Sequence, residues 1–111
     1  MQANAGAQRV FALDVTDVRH VREVSSLVFD DRQRPHWVAT DGTRIVMLNE
    51  PVAAAERRIW MLRMNTSTGQ LSIDESFRDE GSDRPGISFD RASWPHGSTG
   101  AAVPHGTVFS R

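Results

Sequence analysis

His36-Trp-Val-Ala-Thr-Asp-Gly-Thr-Arg-Ile-Val-Met-Leu-Asn49 is the stretch on which the fold turns. A short apolar run, His36 to Thr40, meets Asp41-Gly42, and a second run, Arg44 to Asn49, follows. Asp-Gly between apolar runs is a strong hairpin signal, because such turns need residues that tolerate positive φ. The spacing predicts antiparallel strands at 36–40 and 44–49. Downstream, Arg58-Ile-Trp-Met-Leu-Arg-Met64 predicts a third strand, and the turn Thr66-Ser-Thr-Gly69 returns the chain through Gln70-Leu-Ser-Ile73 towards Phe77. Upstream, Arg9 to Val15 alternates as a strand does, Thr16-Asp17 offers a turn, and Val21 to Phe29 supplies another strand.

An internal repeat runs through these segments. Phe11, Leu13 and Val15 map onto Trp60, Leu62 and Met64 at an offset of 49, and Val24 and Val28 onto Ile73 and Phe77. A second echo joins Pro35-His36-Trp37-Val38 to Pro104-His105-Gly106-Thr107-Val108 at an offset of 69. Strands 36–40, 44–49, 58–64 and 70–77 then form a four-stranded antiparallel meander, and a period of roughly 40–50 residues is that of a β-propeller blade. The expected fold class is all-β: antiparallel four-stranded blades of an incomplete propeller, about one and a half blades plus a closing strand. Residues 1–8 are expected to be disordered, 9–80 to hold the blade repeats, 81–104 to form a Gly/Pro-rich loop, and 105–111 to form the closing strand and C-terminus. A blade buries its faces only against neighbours. The partners implied are therefore the remaining blades or further copies of the chain. Another kind of one-sheet β domain would explain the strands but not the repeat.

Composition narrows the function classes. The chain has 111 residues, a net charge of −1 and no cysteine. Neither nucleic acid nor an anionic membrane is expected as a partner, and no apolar run approaches the ~20 residues of a membrane-spanning helix. Met1 to Gln8 lacks the apolar core of a secretory signal, so the expected location is cytoplasmic. All thirteen basic residues are arginine, as in a GC-rich bacterial genome.

Three of the four histidines stand in Pro-His pairs: His36, His96 and His105. Proline stiffens each approach. If His36 and His105 begin equivalent inner strands, they enter near the same mouth of a central channel, where neutral imidazoles can bind copper, zinc or iron. His96 lies on a loop able to fold back, and Asp83 and Asp90 could add carboxylates. The bland alternative is that each histidine caps backbone or packs on tryptophan. Trp37 and Trp60 are expected in the core. Asp30-Asp31 and Asp74-Glu75 read as solvated turns, because neighbours on a strand face opposite sides. HExxH, GxSxG and phosphate-loop patterns are absent.

The motifs Leu13-Asp-Val-Thr-Asp17, Asp41-Gly-Thr-Arg-Ile-Val46 and Thr68-Gly-Gln-Leu-Ser-Ile-Asp74, with Pro104-His105 near the end, resemble the C-terminal part of the selenium-binding-protein family, which includes methanethiol oxidase. The resemblance covers residues 9–80 and 104–109. It implies a seven-bladed propeller whose channel histidines hold a metal, copper, for oxidation of a small thiol. Only His105, and less closely His36, carry over by motif. The family's proteins are several times longer and contain cysteines, so independent oxidase activity is not expected of this chain. A lactonase-like hydrolase propeller and a non-catalytic interaction module are the alternatives, and the substrate is open.

Overall fold

The computed structural model describes residues 1–110. Eight strands and no helix occur among them: β1 Gln2–Asn4, β2 Arg9–Asp14, β3 Arg22–Val28, β4 Pro35–Thr40, β5 Arg44–Asn49, β6 Arg58–Met64, β7 Leu71–Ile73 and β8 Ile87–Ser88. All strand pairs are antiparallel. One sheet runs β1-β2-β3; the other runs β4-β5-β6-β7, with β8 also paired to β6. The expected four-strand meander is therefore present, in the expected order.

Turn chemistry sets the second sheet's register. Gly42 takes φ of 125°. Thr40 Oγ1 accepts from the Gly42 amide at 3.0 Å and donates to the Arg44 carbonyl at 2.9 Å, while Asp41 and Arg44 form an ion pair. At the next turn Asn65 Oδ1 accepts from the amides of Ser67 and Thr68. Gly69 closes it at φ 74°, where a Cβ would lie 2.8 Å from Val24 Cγ1.

The sheets pack face to face. Val10 and Ala12 of β2, with Phe29, meet Ile45, Met47, Trp60, Leu62 and Leu71 in the core. Phe29 meets Trp60 edge-on, with centroids 5.3 Å apart. At the outer end Ser25 Oγ donates to the Gly69 carbonyl (2.6 Å) and accepts from the Leu71 amide (3.2 Å), tying β3 to the second sheet. The other face of β5, with Val46 and Leu48, is also buried. The chain after β8 passes on that side. Ala39, directly opposite Val46, lines a groove with Thr107 to Ser110, and Phe109 lies under the Arg44 guanidinium.

Strand pairing shows the repeat directly and corrects its alignment. β1-β2-β3 corresponds to β5-β6-β7/β8. Val10 pairs with Ala3 and Leu27, and Ile59, 49 positions further on, pairs with Leu48 and Ile87. Leu13 pairs with Glu23, and Leu62 with Ile73. The Phe29 amide donates to the Gln8 carbonyl (2.8 Å) and the Phe89 amide to the Arg57 carbonyl (2.6 Å). Ile73 therefore corresponds to Glu23 rather than Val24, and Val28 to Ser88 rather than Phe77. The first shift is one residue of extra length between paired strands, Leu62 to Ile73 being eleven positions and Leu13 to Glu23 ten; the second is an insertion. Where β3 is continuous apart from a bulge, the outer strand of the second sheet is cut into β7 and β8 by residues 74–86. Asp74 starts the break by accepting from the Ser76 amide and hydroxyl, so the strand expected over 70–77 ends at Ile73.

Past the outer strands, Phe29-Asp30 leads to Pro35-His36 just as Phe89-Asp90, 60 positions on, leads to Pro95-His96. The counterpart of Pro35-His36 by connection is thus Pro95-His96, not Pro104-His105. Two further expectations are corrected. Residues 1–8, expected to be disordered, supply β1, because Met1 and Ala3 pack against the core and Asn4 Oδ1 anchors the turn by accepting from the Ala7 amide. The closing strand at 105–111 does not form over the described residues, because no strand edge pairs with them; Arg111 lies outside the described residues. Trp60 is in the core as expected, but Trp37 is 45% exposed, on the face of β4 turned away from the first sheet.

Candidate functional site

β4 carries His36. Its register shifts between Pro35 and Trp37, so His36 is the extra residue of a β-bulge. Bulges re-aim a side chain and bend the strand. Here the bulge brings the exposed His36 ring parallel to that of His105, with centroids 6.1 Å apart and planes at 10°. Two of the three expected histidines are therefore brought together. Imidazole lone pairs lie in the ring plane. Two parallel rings direct them along separate planes, so shared chelation of one ion requires one ring to turn. Both rings are exposed, and such a turn meets little packing resistance.

His96 sits apart from this pair. It occupies a small closed turn in which Trp94 and Gly97 exchange backbone hydrogen bonds of 2.9 and 3.0 Å, and its Nε2 lies 3.4 Å from Thr99 Oγ1. The Trp94 indole donates to the Gly100 carbonyl (2.8 Å) and stacks obliquely on Phe89. Asp90 is engaged by the Arg57 amide and guanidinium, each at 3.3 Å, and Asp83 is exposed. Among the described residues no three metal-ligating side chains converge. The donor set on hand is a pair of imidazoles.

A polar cluster that the sequence reading missed lies under the same end of the second sheet. Gln33 is fully buried, and Asn49 and Arg58 nearly so. Gln33 Nε2 donates to Glu56 Oε2 (2.5 Å), and Gln33 Oε1 accepts from Asn49 Nδ2 (2.8 Å) and the Trp60 indole (3.0 Å). Asn49 also donates to the Glu56 carbonyl and accepts from the Arg34 amide. Arg84 grips Glu56 with two bonds of 2.5 and 2.7 Å. Arg58 adds one at 3.1 Å and donates to the Pro85 and Gly86 carbonyls, both at 2.9 Å. Burial alone would raise the Glu56 pKa, but the hydrogen bonds from Arg84, Gln33 and Arg58 outweigh it and hold the carboxyl at about 2. No buried side-chain polar atom lacks a partner among the described residues. Every group in the cluster is used internally. It is a clamp that fastens the connector at 30–34, the loop at 50–57 and the insertion at 84–86 to β6. Beside it a pocket of about 130 Å³ is bounded by Asn49, Pro51, Val52, Arg58, Val103 and Pro104. The signal available in sequence was Asn49 ending an apolar strand and Arg58 opening one.

No family model matches this chain, and neither a curated protein nor a solved structure is significantly similar to it. Among the described residues no helix is long and apolar enough to cross a membrane.

Proposed function

We propose that this chain is a two-blade segment of a β-propeller and that the His36–His105 pair at the start of its inner strand is one corner of a transition-metal centre, which other blades complete. The observation that carries the reading is the match of β1-β2-β3 to β5-β6-β7/β8, with the two sheets joined by a Phe-Asp…Pro-His connector that takes the chain from the outer strand of one to the inner strand of the next. That connection is how successive blades follow one another around a propeller axis. The bulge at His36 and its parallel neighbour supply two imidazoles at the inner end, the type of ligand suited to copper or zinc. This agrees with what the resemblance to the selenium-binding-protein family implies. In that setting copper would supply the redox chemistry. The chain's own share would be to hold two nitrogens near the axis, with Pro35 and Pro104 limiting the motion of each. The chain alone is a binding element rather than a catalyst.

Titration calorimetry with Cu²⁺ and Zn²⁺ tests the metal assignment. Wild-type chain is expected to bind one ion. His36→Ala and His105→Ala should each weaken binding at least tenfold, whereas His20→Ala, which removes a ring held by Asp17 at 2.7 Å, should leave it unchanged. Equal binding by all four chains would refute the assignment. His96→Ala decides whether the third histidine joins the pair.

A further inference from the structure

The two sheets differ in one strand. β5 is paired on one side by β6 and on the other by β4, the strand that opens with Pro35-His36. Its counterpart β1 pairs with β2 alone among the described residues. Among the described residues no strand takes the inner position of the first sheet. The chain carries a segment of matching pattern that has joined no sheet: Pro104-His105-Gly106-Thr107-Val108-Phe109, in which Val108 is 94% exposed. β-branched and aromatic residues favour strands once an edge is offered. Pro95-His96 is a poorer candidate, because it is closed into its own turn and is followed by Gly-Ser-Thr-Gly.

The tail cannot serve the first sheet of its own chain without unwrapping. Val38 faces the first sheet, whereas Ala39 and Val46 face away, and the tail lies on the Ala39 side. It thus sits where another sheet would stack next. The far face of the first sheet offers the complementary surface. Phe11 and Leu13 occupy the positions of Trp60 and Leu62, yet Trp60 and Leu62 are buried against a neighbouring sheet while Phe11 and Leu13 are only half-covered. Arg9 lies over Phe11 at 4.8 Å and pairs with Glu23 across that face.

We propose that the segment Pro104–Phe109 of one copy adds as an inner strand to the open edge of β1 in a second copy, so that copies assemble head to tail. This rests on the blade reading and deepens it. Following the β4–β5 register, Pro104 pairs with Asn4, Gly106 with Ala3, Thr107 with Gln2 and Val108 with Met1. Phe89 of the donor then covers Phe11 of the acceptor as Phe29 covers Trp60. A head-to-tail contact closes into a ring when its rotation permits. With two sheets per chain, two to four copies give rings within the roughly four to eight blades of known propellers.

Native mass spectrometry and sedimentation of the full chain test this. The expected mass is two to four times 12.4 kDa. Thr107→Pro/Val108→Pro, one of whose amides must face the partner strand, should dissociate the assembly to monomer while circular dichroism stays β. The chain has no cysteine, so Gln2→Cys chains mixed with Thr107→Cys chains should form a disulfide-linked heterodimer that neither forms alone. An assembly unaffected by the proline pair, together with no mixed disulfide, overturns strand donation but leaves the blade reading in place. A folded monomer at all concentrations overturns both.

Discussion

Asn4 and Asn49 stand at the same position of the two sheets, and so do Arg9 and Arg58. In the first sheet Asn4 is exposed and accepts one bond, from the Ala7 amide. Arg9 reaches out to Glu23. In the second sheet Asn49 is 5% exposed and makes three bonds, and Arg58 is 6% exposed with three of its own. The strand pattern is common to both; the loops around it are not. Only four residues, 5–8, join β1 to β2. Eight residues, 50–57, join β5 to β6, and they bring Glu56 over Asn49 and Arg58. Residues 74–86 bring Arg84 to the same carboxylate. A short hairpin leaves the strand ends in water, and the longer insertions bury them and must then satisfy every polar group they cover.

The largest test of that difference is Glu56. Its carboxyl binds a proton more weakly folded (about 2) than at its ordinary value of 4.5. Its contribution to stability is therefore fully present above about pH 4.5 and is lost as pH falls towards 2, and amounts to about 1–3 kcal/mol by linkage once solvent screening is discounted. Glu56→Gln removes the charge facing Arg84 and Arg58 and should lower stability by about that much at pH 7. Urea denaturation at pH 7, 4 and 3 is the measurement. The gap between wild type and variant should narrow with acid. A constant gap would assign the loss to packing rather than charge.

The β4–β7 meander and the β2–β3 pair were legible in sequence because period-two alternation and Asp-Gly chemistry act locally; β1, in a stretch expected to be disordered, was not. Asp41-Gly42 and Thr66 to Gly69 each fix a turn by contacts within a few residues. The repeat was legible through β2 and β6 but misaligned from Ile73 onward. The insertion 74–86 shifts the second copy, and only the pairing of Ile87 with Ile59 shows where the outer strand resumes. His36 and His105 were legible as candidates because proline marks both, but proline marks His96 as well, and only the fold shows which two meet. The buried clamp was not. Gln33, Asn49, Glu56, Arg58 and Arg84 span 52 positions, and apart from Asn49 ending one apolar strand and Arg58 opening the next, nothing local distinguishes them from surface residues.

Smaller substitutions sharpen the contrast between the sheets. Asn49→Ala leaves Gln33 Oε1, the Glu56 carbonyl and the Arg34 amide short of a partner in a buried setting, a loss of about 2–3 kcal/mol. Ser25→Ala removes two bonds at the seam between sheets and should cost about 1–2 kcal/mol. It also uncouples them, so hydrogen exchange should speed at the β3 amides more than at those of β5.

Asn4→Ala should cost least, about 0.5 kcal/mol or less in the isolated chain, since the Ala7 amide can turn to water. The same substitution becomes informative in the assembled state. If a neighbour's Pro104 lies opposite Asn4, as Pro35 lies opposite Asn49, strand addition buries Asn4 and makes its bond to the Ala7 amide harder to replace. The cost of Asn4→Ala should then rise with protein concentration, towards that of Asn49→Ala, and fall back in the Thr107→Pro/Val108→Pro background. A cost that stays small and concentration-independent would mean that the first sheet keeps an open edge by design, and that the difference between the two asparagines belongs to the loops alone.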